Sequence, residues 1–158
     1  MSLREEVREW LVDKRVGLID SEELQRRADR KIAGLDAPPD YLIVISLGES
    51  LAHIERLDLV REPLTREDLG KLAVRLLAGL KTGCLDLETV AVAATHITFP
   101  RHDKMIDAWV EFAWIIDEWQ YIEDGMKGPE GYEDGVFAAL ERVARHAPAH
   151  SEIENNER

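Results

Sequence analysis

Apolar positions recur along most of this chain at three- and four-residue spacing, the pattern of helices that each bury one face. Ser2 and Glu5 have capping-box spacing, and Leu3, Val7, Trp10 and Leu11 then share a face up to a stop at Gly17. Asp20 and Glu23 repeat the box. Ile19 is placed to staple onto Leu24, and the stripe continues through Ala28 and Ile32 to Gly34. A third start, Thr65 with Asp68, precedes the stripe Leu69, Leu72, Ala73, Leu76 and Leu80. Asp86 caps an alanine-rich helix running to Ile97. Phe99-Pro100 marks a break before the longest helix, roughly 102–124. A glycine-rich loop over 125–131 leads to a last helix over about 133–146, with Val136, Phe137, Leu140 and Val143 apolar.

One segment is ambiguous by composition. Tyr41-Leu42-Ile43-Val44-Ile45 has the β-branching of a buried strand. An internal similarity decides it. Ile19–Leu35 laid over Leu64–Leu80 matches at seven of seventeen positions with an offset of 45, and the same offset brings 41–45 beside the helix after Asp86. With Pro38-Pro39-Asp40 suited to a first turn, residues 39–47 read as helix, continued or restarted over 49–60. The expected fold is therefore all-α: a compact multi-helix bundle of antiparallel helical hairpins, organised as a tandem pair of αα repeats. Residues 1–148 are expected to form a single all-helical domain and 149–158 a disordered polar tail.

Charge is unevenly spread over these helices. Of the net −12, residues 103–135 carry −8, and the same stretch holds Trp109, Phe112, Trp114, Trp119, Tyr121 and Tyr132. A net charge this negative argues against nucleic acid as a partner, because non-specific affinity for it comes largely from neutralising phosphates with Lys and Arg. No apolar run approaches the roughly 20 residues of a membrane span, and the start of the chain does not read as a signal peptide. A single Cys84 rules out an internal disulfide and fits a reducing compartment, so a cytoplasmic location is expected.

Signatures of catalysis are missing from the sequence: there is no Walker-type phosphate loop, no His-Glu-x-x-His, no Cys-x-x-Cys and no EF-hand loop. No cofactor is implied. The informative segment is the long helix. Met105, Ala108, Trp109, Phe112, Ile116 and Trp119 share the face expected to be buried. Trp114 and Tyr121 fall on the opposite side, among Asp107, Glu111, Asp117 and Glu118. Two placements are open for these aromatics. Exposed, they form a docking face whose acids select a basic partner. Packed, Trp114 lies under the C-terminal helix near Phe137 and Leu140.

The expected function is a non-enzymatic protein–protein interaction module that binds a basic protein surface through Trp114, Tyr121, Asp107, Glu111, Asp117 and Glu118. A homodimer through the same patch is the other partner weighed. Small size, acidity and helical content match the profile of toxin-neutralising proteins of the immunity or antitoxin kind, an analogy of bulk properties without a shared motif. The alternative is a metal-dependent hydrolase that uses the carboxylate stripe Asp103, Asp107 and Glu111, with His96 or His102 as further ligands.

Overall fold

The computed structural model describes residues 1–48, 64–98 and 106–148. The fold is all-helical, as the periodicity predicts, with seven helices and no strand among the described residues. They are α1 (Leu3–Arg15), α2 (Ser21–Ala33), α3 (Asp40–Ser46), α4 (Arg66–Thr82), α5 (Leu87–Thr98), α6 (Ile106–Glu123) and α7 (Tyr132–Ala144). The expected helix over 49–60, the break at Phe99-Pro100 and the tail 149–158 lie outside the described residues. Among the described residues, no helix is long and apolar enough to cross a membrane.

Local chemistry sets the helix ends. Ser2 and Glu5 form both halves of the box that opens α1. Gly17, with φ 81°, closes it: Leu18 N–H reaches Asp13 C=O at 2.9 Å and Gly17 N–H reaches Lys14 C=O at 3.2 Å, a Schellman turn. Thr65 and Asp68 also form a complete box, at 2.9 and 3.1 Å, although aspartate is the shorter partner. At α2 the expected box is modified. Asp20 accepts from Glu23 N–H at 2.7 Å, but the Glu23 carboxylate turns to Arg26, Arg27 and Arg30. The Arg27 hydrogen bond is the main reason Glu23 titrates below the usual glutamate range.

The helices gather into two compact units, Met1–Leu64 and Thr65–Arg158. In the first, Val7, Leu11, Leu24, Ala28, Leu42 and Ile45 form the buried core. Leu42 and Ile45 come from the segment with strand-like composition. Both are fully buried on α3, which packs along α2 as a hairpin. Lys31 Nζ, 2.7 Å from the Glu6 carboxylate, ties α2 to α1.

In the second unit α4 packs on α7, α5 on α6 and α6 on α7. The expected stripe of α4 is buried at Leu69, Leu72, Ala73 and Leu76, and that of α7 at Val136, Leu140 and Val143. Gly70 lets the end of the α7 segment come close, because a Cβ there would lie 2.4 Å from Ala147 N and 2.6 Å from His146 C. The internal similarity extends to where α2 and α4 start. Among the described residues α2 packs along α3, while α4 packs chiefly on α7 and α5 on α6.

Candidate functional site

Helix α6 is apolar over most of its circumference, so its neighbours decide which side meets water. Ala108, Phe112, Ile115 and Ile116 are buried. Trp109 is half-buried, and its indole N–H donates to Thr98 C=O at 3.4 Å. The expected inward residue Met105 lies outside the described residues. The outer stripe holds Val110, Asp117 and Tyr121, at seven- and four-residue steps, with Asp107 at its start. Val110 is 50% exposed and Tyr121 48% exposed.

Trp114 sits at the edge of this stripe and is half-buried. Its ring stacks on Tyr132, with centroids 6.1 Å apart and planes inclined by 26°. It also covers Gly135, where a Cβ would come within 2.3 Å of Trp114 Cη2. Of the two placements open in the sequence, Trp114 takes the one under α7, through Tyr132 and Gly135. Trp119 lies 5.7 Å from the Tyr132 ring as well, so that tyrosine is flanked by two indoles. The Tyr132 hydroxyl donates to Ile115 C=O at 2.9 Å, fixing the start of α7 against the middle of α6. Burial, and secondly the Glu118 charge, push its ionisation above the usual tyrosine range.

The acids of the proposed face divide into two kinds. Glu111 holds Arg142 of α7 by two hydrogen bonds of 2.8 Å, a fork geometry that keeps the guanidinium protonated more firmly than usual. Glu118 holds Lys127 of the glycine-rich loop. Asp107 approaches Arg66 at 3.7 Å, an exposed and weak pair. Asp117 has no hydrogen bond or ion pair among the described residues. The six residues read as one face thus separate. Tyr121, Asp117 and Asp107 stay on the outer stripe, and Trp114, Glu111 and Glu118 turn toward α7 and its preceding loop.

Of the alternative metal ligands, Asp103 and His102 lie outside the described residues. His96 Nδ1 is 2.9 Å from Val92 C=O within its own helix. Among the described residues, no group of three or more His, Cys, Asp or Glu side chains could hold a metal ion. Two of the stripe's carboxylates, on Asp107 and Glu111, face arginines.

Four contributors were not picked out as site residues from the sequence. Val110 was within reach, since it stands four residues before Trp114 and seven before Asp117 on the same helix. Arg142, Lys127 and Tyr132 had no such signal. Their partners are 31, 9 and 17 residues away, and only the packing of α7 and its loop on α6 brings them together. No protein-family model, curated protein or solved structure matches this chain.

Proposed function

We propose that the chain is a non-enzymatic interaction module that binds a basic protein surface through the outer stripe of α6. One observation carries this reading. Val110 and Tyr121 stand half-exposed on either side of an Asp117 that no cation neutralises among the described residues. Tyrosine beside an apolar side chain supplies contact area, and an exposed carboxylate supplies polarity. The excess of −8 over 103–135 adds a longer-range attraction for cations, reaching about 8 Å at physiological salt. The binding set is Tyr121, Asp117, Val110 and Asp107, while Glu111 and Glu118 hold the scaffold on which that stripe is displayed. A basic partner is favoured over a second copy, since two copies of this stripe would bring like charges together. The single cysteine, Cys84, is free and exposed, which supports a reducing cytoplasm as the compartment.

Titration with basic peptides tests this by calorimetry at two salt concentrations, on the native chain, Tyr121→Ala and Asp117→Lys. Each variant should weaken binding about tenfold or more, as central interface residues do, with an unchanged helical circular dichroism spectrum and melting temperature. Equal affinity in all three proteins would refute the outer stripe as the binding surface.

A further inference from the structure

At the C-terminal end of α6, between that helix and the loop before α7, lies a cavity of about 90 Å³. Trp114, Glu118, Ile122, Lys127, Glu130 and Tyr132 line it. Its lining combines two aromatic residues, two carboxylates and one lysine, whose ammonium meets Glu118. Lys127 donates to Glu118, whose side chain is only 19% exposed, while Lys127 itself is 53% exposed. Glu130 makes no hydrogen bond or ion pair among the described residues. Its carboxylate folds back over Gly128, where a Cβ would meet Glu130 Oε2 at 2.1 Å. One ammonium against two carboxylates leaves the cavity one negative charge in excess. Ammonium groups are also attracted to the faces of tryptophan rings, and Trp114 lines the cavity while remaining half-buried.

The lysine is held by little else. Residues 123–131 are all exposed, and Gly125, Gly128 and Gly131 punctuate the loop. Gly125 and Gly131 adopt positive φ, at 71° and 78°. Such a segment makes few buried contacts that would resist local opening. A simple loop tether would need only Glu118. It would not account for a second carboxylate, Glu130, with no partner among the described residues, nor for space beside the indole.

We infer that this cavity is a receptor for a lysine side chain of the basic partner, and that Lys127 is a built-in competitor occupying it in the free protein. The inference rests on the basic-partner reading and adds the residue type recognised and a reason for the loop. A partner lysine would displace Lys127 from Glu118 and gain Glu130 as a second carboxylate. Lys127, released into water, keeps its charge, and no bond is made or broken.

The test is calorimetric binding of an acetylated, amidated tetralysine peptide, with tryptophan emission followed in parallel. Lys127→Met removes the competitor and should tighten binding about two- to five-fold, the worth of an exposed ion pair. Lys81→Met, which changes net charge by the same amount at the exposed end of α4, should leave affinity nearly unchanged. Glu118→Gln combined with Lys127→Met should cancel the gain, and Glu130→Gln alone should weaken binding. Equal effects of Lys127→Met and Lys81→Met, or a gain that survives Glu118→Gln, would overturn the receptor. If Lys127→Met disorders the loop, seen as a lower urea midpoint, Glu130→Gln decides, and undiminished binding there overturns the receptor. Asp117→Asn and Tyr121→Ala separate the two readings. Loss of binding in these alone leaves the outer stripe standing and the receptor refuted, whereas loss only in the Glu118 and Glu130 variants does the reverse.

Discussion

Gly135→Ala asks whether Trp114 is seated on α7 or free at the surface. In the native geometry the new methyl carbon would lie 2.3 Å from Trp114 Cη2 and 3.1 Å from both Cζ2 and Cζ3. Non-bonded carbons rest about 3.5–4.0 Å apart, so the rigid indole must retreat by roughly 1 Å or more. It cannot do so freely while stacked on Tyr132. Overpacking of this kind costs about 1–3 kcal/mol, while alanine in place of glycine within a helix returns about 0.8–1 kcal/mol. The native chain should therefore lose roughly 0–2 kcal/mol. With Trp114→Leu already in place the obstacle is gone, and Gly135→Ala should instead stabilise by about 0.8–1 kcal/mol. Such a reversal of sign is the readout, from urea denaturation of the four proteins of the double-mutant cycle. Acrylamide quenching of tryptophan emission should rise in Gly135→Ala as the displaced ring meets water. Stabilisation of about 1 kcal/mol in both backgrounds would refute the seating of Trp114 and return that residue to the outer stripe beside Tyr121.

Three further outcomes follow from the second unit. Gly70→Ala drives a Cβ against the backbone at Ala147 and His146, which cannot swing aside as a side chain can, so a loss on the order of 3 kcal/mol is expected by urea denaturation. Thr65→Ala removes the hydroxyl that caps Asp68 N–H and should cost about 1 kcal/mol, with helicity lost first at the start of α4 in hydrogen exchange. Tyr132 ionises less readily folded than unfolded, so its contribution is complete below the unfolded value near pH 10. Above that pH the unfolded chain loses its proton first, and stability should fall by up to about 1.4 kcal/mol per pH unit. Tyr132→Phe should flatten this alkaline limb of the urea midpoint against pH. It should also cost about 0.5–1.5 kcal/mol at neutral pH, because the buried hydroxyl's hydrogen bond to the Ile115 carbonyl is lost.

The sequence alone determined what is local. Capping pairs such as Ser2 with Glu5 and Thr65 with Asp68 act across three residues, and the stripes that bury Leu69, Leu72 and Leu76 repeat within one helix, so both are written in neighbouring letters. The helical character of 40–46 was also legible, because the offset of 45 set it beside a clearer helix. Tertiary structure alone decided which outer residues of α6 face water. Trp114 and Tyr121 are seven positions apart and look equivalent on a helical wheel, yet one lies over Gly135 and the other stands 48% exposed. The same holds for the acids: Glu111 and Asp117 read alike in the sequence, but Arg142 arrives from α7 to neutralise only the first. A helical wheel carries periodicity but not the position of the helix packed against it, and that position separates a carboxylate that ties two helices from one that faces water.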